Sequence, residues 1–296
     1  MAIGDRPIAA RLARLSPASS ALQDARRQLA GLDDAAVTAE VLLAHVLGLS
    51  RAQLLAHPEA PVMAEQGAAF EQLLERAATG EPLAYLTGRR EFYGLDFFVD
   101  RRVLVPRPET ELLVDFARSL RPKRALDVGT GSGCIAVALA VSLPQAAIVA
   151  TDVSSGALEV ARRNAERHGV AGRIEFFQSD LLAIWPAEAS SIQAAFDLVC
   201  ANLPYIDRDE LCDLPVSRHE PWLALDGGRG GLELIERLLR EAPRVLAPAG
   251  AMLLEIGASQ GAAAAGLAGA AFPEAHVTVE RDLPGLDRLL VVRRPA

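Results

Sequence analysis

Residues 125–133 read ALDVGTGSG, and this stretch decides the fold of the 296-residue chain. A short apolar run followed by closely spaced glycines predicts a buried strand that turns directly into a helix. Glycines at such a turn let the backbone approach a ligand where a Cβ atom would collide with it. Ligands of open α/β sheets bind at the carboxyl ends of the strands, so we expect a ligand beside this loop.

Strand and helix patterns alternate from this loop to the end of the chain, with one helix predicted over Ser154 to His168. This order predicts an α/β fold of the Rossmann-like class, with helices on both faces of a mostly parallel seven-stranded sheet. The last two strands are close enough in sequence to form an antiparallel hairpin. The seven strand segments are ALDVG (125–129), AAIVATDV (146–153), RIEFFQSD (173–180), FDLVCANLPY (196–205), AMLLEIG (251–257), HVTVE (276–280) and RLLVVRR (288–294).

The preceding residues have a different character. Helical periodicity without strand signals predicts a small helical bundle over residues 1–84, with Asp33 or Asp34 capping one helix, Ser50 capping the next, and a third over Met63 to Ala78. Aromatic residues around Gly94 predict a β-hairpin connector over residues 85–105. We expect Pro108 to begin the first helix of a second domain over residues 106–296.

The composition restricts the class of protein. Apolar residues make up 51% of the chain and charged residues 23%, which is typical of a globular protein. No apolar stretch reaches the roughly 20 residues needed to span a bilayer, and arginines interrupt the N-terminal segment where an export signal would be apolar. Three widely spaced cysteines indicate neither disulfides nor a metal site, and we expect a cytoplasmic protein. A net charge of -8 disfavours a nucleic-acid substrate.

The glycine spacing indicates which cofactor binds. The loop has the spacing G-x-G-x-G, whereas a dinucleotide fingerprint is G-x-G-x-x-G. Asp152 ends the second strand, where a carboxylate can hold a ribose diol, and Asp180 ends the third, where it can contact an adenine amino group. A glycine turn alone could simply make a tight connection, but three acidic strand ends at one edge favour S-adenosylmethionine, whose product would be S-adenosylhomocysteine. The residues predicted to bind it are Asp127, Gly129, Thr130, Gly131, Ser132, Gly133, Asp152, Asp180, Leu181 and Asn202.

The fourth strand ends in Asn202, Leu203, Pro204 and Tyr205, the predicted catalytic segment. A proline that merely ends the strand would explain this sequence equally well if it stood alone. Beside a methyl donor, however, the segment supplies the groups that methylation of a planar nitrogen requires. The Asn202 side-chain oxygen can accept one N–H of the nitrogen, the Leu203 carbonyl can accept the other, and the Tyr205 ring can lie against the flat group.

The chain resembles the PrmC/HemK release factor glutamine methyltransferases over nearly its whole length. The matching stretches are EPLAYLTGRREFYG (81–94), VLVPRPETELLV (103–114), DVGTGSG (127–133), NLPYI (202–206), EPWLALDGG (220–228) and LEIG (254–257). The resemblance implies that a helical N-terminal domain grips a release factor, and that the catalytic domain methylates the glutamine of its Gly-Gly-Gln loop at N5. It implies that the substrate is bound by Asn202 to Tyr205 together with Arg107 and Glu109. The family usually has proline where this chain has Leu203.

Two other functions share parts of this pattern. Asn-Leu-Pro-Tyr also occurs in ribosomal RNA adenine dimethyltransferases, so an N6-adenine methyltransferase acting on RNA or DNA is one alternative. An NAD-dependent oxidoreductase would share the sheet and is the other. The V-P-R-P-E-T-E segment and the acidic charge favour the protein substrate, and we expect a monomer that binds neither nucleic acid nor membrane.

Overall fold

The structure is a computed structural model that describes residues 16–185 and 195–296. The N-terminal residues on which the expectation about export rests, 1–15, lie outside the described residues. The chain divides into two compact units, the first ending at Gly88 and the second running from Arg89 to Ala296. Over the part that the structure describes, no helix combines the length and apolarity that a membrane crossing requires.

The first unit is helical, as the periodicity predicts, and buries one apolar core that includes Leu42, Leu43 and Leu74. Ser50 caps its helix through the main-chain N–H of Gln53. The elements are β1 (Ser16–Pro17), α1 (Ala18–Gln28), α2 (Ala35–Leu47), α3 (Arg51–Ala56), β2 (Pro61–Val62), α4 (Ala64–Ala78) and α5 (Leu83–Thr87), with β1 and β2 paired antiparallel.

Two local predictions for this unit are wrong. Asp34 precedes α2, but neither it nor Asp33 caps the helix with its side chain, because Asp34 has φ -106° and ψ 31° instead of the extended conformation of a capping residue. Residues 85–87, expected to begin the hairpin connector, belong to the helix α5. Gly88 ends this helix in the left-handed conformation, and the hairpin follows it.

The second unit begins with the predicted hairpin, β3 (Arg89–Phe92) and β4 (Leu95–Phe98), which turns at Tyr93 and Gly94. Phe92 and Phe97 are buried, and their rings meet edge to face with centroids 6.1 Å apart. Both main-chain groups of Phe98 bond the side chain of Asn164, at 2.8 Å and 2.9 Å. The hairpin is therefore fixed to the body of this unit.

Alternating strands and helices follow, as the sequence predicts. Pro108 begins a single 3₁₀ turn, Pro108–Thr110, and not the α-helix itself, which begins at Glu111. The elements are α6 (Glu111–Leu120), β5 (Arg124–Val128), α7 (Cys134–Ser142), β6 (Ala147–Asp152), α8 (Ser155–Arg167), β7 (Ile174–Gln178), β8 (Phe196–Ala201), α9 (Arg208–Leu211), α10 (Glu233–Glu241), β9 (Leu246–Glu255), α11 (Gly261–Ala271), β10 (His276–Arg281) and β11 (Asp287–Arg293).

Seven of these strands form one sheet in the order β10-β11-β9-β8-β5-β6-β7. The five neighbouring strands β9, β8, β5, β6 and β7 are parallel to one another. Strand β11 lies between β9 and β10 and is antiparallel to both. This arrangement confirms the predicted fold class. Helices cover both faces, because the middle strands are apolar on each side and bury two separate cores.

The connectivity places the site. The chain runs outward from β5 to β6 and β7, then returns to the other side of β5 as β8. The loops after β5 and β8 therefore diverge and leave a crevice at their carboxyl ends, the usual ligand position in such sheets.

Candidate active site

The buried carboxylate of Asp127 accepts hydrogen bonds from the glycine loop after β5 and from the helix that follows it. Asp127 is 1% exposed, and its Oδ2 accepts hydrogen bonds from the Thr130 hydroxyl at 2.7 Å and from the Ala136 N–H at 3.2 Å. Its Oδ1 has no hydrogen-bond partner in the described structure. Burial raises the pKa of Asp127 to about 7. Asp127 therefore supports the loop from inside the sheet.

Asp152 holds the same loop from the next strand. Its Oδ2 accepts the Gly131 N–H at 2.9 Å, and its Oδ1 accepts the Ser154 N–H at 2.8 Å. Burial raises the pKa of this carboxyl as well. Each carboxylate oxygen has a second lone pair, so Asp152 can fix the loop and still accept hydroxyl groups of a ligand.

Asp180 and Leu181 follow β7 at the same edge. The Asp180 carboxylate is about half exposed and pairs with Arg237 at 2.9 Å. Leu181 has φ 48°, a left-handed conformation that is uncommon for a residue with a side chain. Together they form the wall of the crevice farthest from β8.

The Asn202–Tyr205 segment follows β8 and faces the glycine loop. The side chain of Leu203 is buried, and its Cδ2 would lie only 3.0 Å from a Cβ atom on Gly129, which itself has φ 73°. Leucine at this position thus packs directly on the glycine loop, and the loop has no room for a side chain there.

Asn202 is oriented by a hydrogen bond from its amide nitrogen. Nδ2 donates to the Thr110 hydroxyl at 3.0 Å, and that hydroxyl donates to Glu255 at 2.6 Å. Within the described ranges, the Asn202 Oδ1 and the main-chain carbonyl of Leu203 both have no donor. Two acceptors of the predicted catalytic segment are thus available to a ligand.

Tyr205 contacts the same buried carboxylate. Its hydroxyl donates to the other oxygen of Glu255 at 3.4 Å. Burial raises the pKa of Glu255 to about 7 and that of Tyr205 to about 12. The tyrosine hydroxyl therefore stays protonated near neutral pH and acts as a donor.

A loop over residues 225–231 supports the main chain behind Tyr205. Gly227 donates its N–H to the Ile206 carbonyl at 2.9 Å, and the Gln260 side chain donates to the Tyr205 carbonyl at 2.8 Å. Gly231 has φ 68°, and a Cβ atom there would overlap the Tyr205 carbonyl oxygen. This close approach fixes the position of the catalytic segment from outside.

Arg107 enters the site from the V-P-R-P-E-T-E segment. It donates to Glu220 at 2.6 Å, and Glu220 also accepts the Val105 N–H at 3.0 Å. Glu220 is 4% exposed, so this ion pair is shielded from water on the carboxylate side. Glu109, two residues after Arg107, is exposed.

These elements enclose a cavity of about 510 Å³, a size usual for small-molecule sites. Eleven predicted site residues line it: Arg107, Gly129, Thr130, Gly131, Ser132, Asp152, Asp180, Leu181, Asn202, Leu203 and Pro204. The other four, Asp127, Gly133, Tyr205 and Glu109, lie outside its lining.

One segment of the cavity lining is apolar. It consists of Pro221, Leu223 and Ala224; Leu223 is 60% exposed, and the adjacent Trp222, which is outside the lining, is 47% exposed. The Trp222 indole donates to the Ser217 carbonyl at 3.0 Å, which holds the ring in place.

Thr110, Glu255, Glu220 and Asn164 contribute to the site although no role was assigned to them from the sequence. Asn164 is buried and donates to the Ser132 carbonyl in the glycine loop at 2.8 Å. Glu255 could have been noticed, because a carboxylate that ends an apolar strand is costly to bury without a purpose. Thr110 and Glu220 lie in the family-matching stretches 103–114 and 220–228, which marks the segments but not their partners, and Asn164 carries no such signal.

The sheet order, the glycine loop after the central strand and the Asn-Leu-Pro-Tyr segment after its neighbour together define a methyltransferase of the α/β class. Residues 121–272 match the family model described as Methyltransferase domain, and residues 20–88 match PrmC N-terminal domain. The crystal structure of a methyltransferase from Pyrococcus furiosus has the same fold, with a TM-score of 0.52 and 19% identity over 79% of this chain and 100% of that one.

Relatives define the family. A release factor glutamine methyltransferase of Cereibacter sphaeroides is 44% identical over 273 residues, which cover 92% of this chain and 95% of the relative. One of Chlorobaculum tepidum is 42% identical over 268 residues, covering 87% and 90%. The chain belongs to the release factor glutamine methyltransferase family, which confirms the resemblance found in the sequence.

Proposed function

We propose that this chain transfers a methyl group from S-adenosylmethionine to the side-chain amide nitrogen, N5, of the glutamine in the Gly-Gly-Gln motif of peptide chain release factors. The observation that carries the proposal is the pair of free acceptors, Asn202 Oδ1 and the Leu203 carbonyl, at a cavity lined by the glycine loop. Family membership supports the same substrate.

The residues beside the glycine loop suit a nucleoside methyl donor. Gly129 to Ser132 would approach its amino-acid part, while Asp152 would accept its ribose hydroxyls and Asp180 its adenine amino group. The cavity volume of about 510 Å³ is sufficient for a ligand of this size. When bound, S-adenosylmethionine supplies an electrophilic methyl carbon attached to sulfur.

The catalytic segment would orient the glutamine amide. An amide nitrogen is a poor nucleophile because its lone pair is delocalised into the carbonyl group. Asn202 Oδ1 and the Leu203 carbonyl would each accept one N–H, aim the nitrogen at the methyl carbon and stabilise the positive charge that develops on it. Alignment of this kind can be worth about 7 to 11 kcal/mol in the activation barrier. As the nitrogen takes the methyl group it becomes cationic and its N–H becomes acidic, so one proton would be lost to water without a strong base, and the donor would leave as the neutral thioether S-adenosylhomocysteine.

The surroundings of the cavity suit a protein substrate. The exposed Leu223 in the cavity lining can contact a loop, and glycines on either side of a target glutamine would let its side chain reach into the cavity. The net charge of -8 gives little attraction for nucleic acid. These features favour a release factor over nucleic acid as the substrate. We also propose that the protein acts as a monomer in the cytoplasm.

The test is to incubate the protein with purified release factor and methyl-labelled S-adenosylmethionine, and to locate the label by mass spectrometry. We expect one methyl group on the glutamine of the Gly-Gly-Gln motif. A parallel reaction with ribosomal RNA is the control for the adenine alternative. Label on RNA, or on another residue of the release factor, would contradict the proposal.

A further inference from the structure

Three segments that are far apart in sequence meet in one buried chain of hydrogen bonds. Glu255 ends β9, Thr110 ends the 3₁₀ turn before α6, and Asn202 follows β8. The Thr110 hydroxyl lies 2.6 Å from Glu255 Oε2 and 3.0 Å from Asn202 Nδ2. Thr110 and Glu255 are each 1% exposed, so water does not compete for the bond between them, whereas Asn202 is partly exposed at the cavity.

The direction of each bond follows from the chemistry of the groups. When Glu255 is ionised it can only accept, so the single hydroxyl hydrogen of Thr110 is used on Glu255. The Thr110 oxygen can then only accept from Asn202, and Nδ2 is the one donor on that side chain. In this ionised form the network excludes the flipped amide and leaves Oδ1 for a ligand, whereas a protonated Glu255 can itself donate to Thr110 and no longer fixes the amide.

Glu255 has little structural reason to be charged. Its hydrogen-bond partners within the described ranges are two hydroxyls, those of Thr110 and Tyr205, and none of the ion pairs found there includes it. Arg288 and Glu109 are the charged groups that influence it electrostatically, and Arg288 is paired with Asp282 at 3.1 Å. A buried carboxylate without an ion-pair partner destabilises a fold, so a role in the site explains its presence better than stability does.

We infer that Thr110 and Glu255 are positioning residues for methyl transfer, which fix the Asn202 side chain with its oxygen towards the substrate amide. This inference rests on the proposed function, since it gives Asn202 its orientation in that reaction. Thr110 lines the cavity and Glu255 does not, and the role assigned to both is to orient Asn202. Tyr205 holds the second oxygen of Glu255 and helps keep the carboxylate in this position.

The test compares Thr110→Val, which keeps the shape but deletes the hydroxyl, with Thr110→Ser, which retains it. Both are made in the wild-type and the Asn202→Ala backgrounds, and kcat, KM for release factor and the dissociation constant of S-adenosylhomocysteine are measured. Thr151→Val is the matched control, because its buried hydroxyl has no hydrogen-bond partner in the described structure.

Thr110→Val removes two hydrogen bonds, one to Glu255 and one from Asn202. We expect kcat to fall about tenfold, because the neutral bond that orients Asn202 is lost, with little change in cofactor affinity. Thr110→Ser should restore most of the rate, and Thr151→Val should retain it. With Asn202→Ala already present, Thr110→Val should cause no further loss.

Two results would overturn the inference while leaving the proposed function intact. One is an equal loss from Thr110→Val in both backgrounds, and the other is a Thr110→Ser variant as slow as Thr110→Val. If the wild-type protein does not methylate release factor at all, the proposed function fails and the inference fails with it.

Discussion

Asp152 offers the sharpest test of the cofactor site. Its two oxygens accept the main-chain N–H groups of Gly131 and Ser154, and both have lone pairs left for a ligand. An Asp152→Asn variant has nearly the same shape, but only one of its two polar atoms can accept. One loop N–H then loses its partner, and one ligand hydroxyl loses its acceptor.

The magnitude follows from the number of bonds affected. A hydrogen bond to a charged group contributes about 1.5 to 3 kcal/mol. Loss of one such bond to the ligand would weaken cofactor binding about 10- to 100-fold. Titration calorimetry with S-adenosylhomocysteine measures this directly, because the product binds without turnover.

A control is available at the amino end of β8. Asp197 also accepts two main-chain N–H groups, those of Lys123 and Arg124, at 2.8 Å and 2.9 Å, although both bond its Oδ2 and the residue is exposed. Asp197→Asn should therefore leave cofactor affinity at the wild-type value. Wild-type affinity in Asp152→Asn would refute the assignment, and an equal loss in both variants would mean that the effect comes from general stability.

Three further predictions concern the catalytic segment. Asn202→Ala should lower kcat about 10²- to 10³-fold, as when one preorganised polar contact is removed, and single-turnover methylation at the wild-type rate would exclude its role. Gly231→Ala should lower the free energy of unfolding by about 2 kcal/mol more than Gly230→Ala, because both glycines have positive φ but only Gly231 meets the Tyr205 carbonyl; equal urea midpoints would contradict this. Glu255 should make stability depend on pH, because burial raises its pKa from 4.5 to about 7, so its contribution is full below pH 4.5 and is lost as the pH rises through 7. Relative to the wild type, Glu255→Gln should gain up to about 3 kcal/mol between pH 4.5 and 8 in urea unfolding, and a constant difference would argue against the raised pKa.

Much of the fold could be predicted from sequence because its signals are local. The glycine loop, the apolar strands that end in Asp152 and Asn202, and the alternation of strands with helices each depend on neighbouring residues. Predictions failed where a boundary depends on a single backbone conformation. Asp34 has the residue type of a helix cap but not the extended backbone that a cap needs.

Within the candidate site, the residues at strand ends could be predicted from the sequence, and the residues that orient them could not. Residues that follow strands, such as Asp152 and Leu203, could be assigned to one edge because parallel strands all end there. The groups that orient them could not, since Thr110 and Glu255 are 145 residues apart and meet only in the folded chain. Asp127 has a second role that the sequence does not predict, because its Oδ2 accepts hydrogen bonds within the glycine loop, while its contact with a cofactor stays a prediction.

The exposed apolar segment of the cavity lining has a practical consequence. The chain has two tryptophans, and they lie in different surroundings: Trp185 packs edge to face on Phe196 with ring centroids 5.5 Å apart, whereas Trp222 is half exposed and precedes Leu223 of the cavity lining. We therefore expect their fluorescence to differ in colour and in access to a dissolved quencher such as acrylamide. A substrate bound at the proposed site should shield Trp222 and leave Trp185 unchanged, which would make Trp222 an optical reporter of substrate binding.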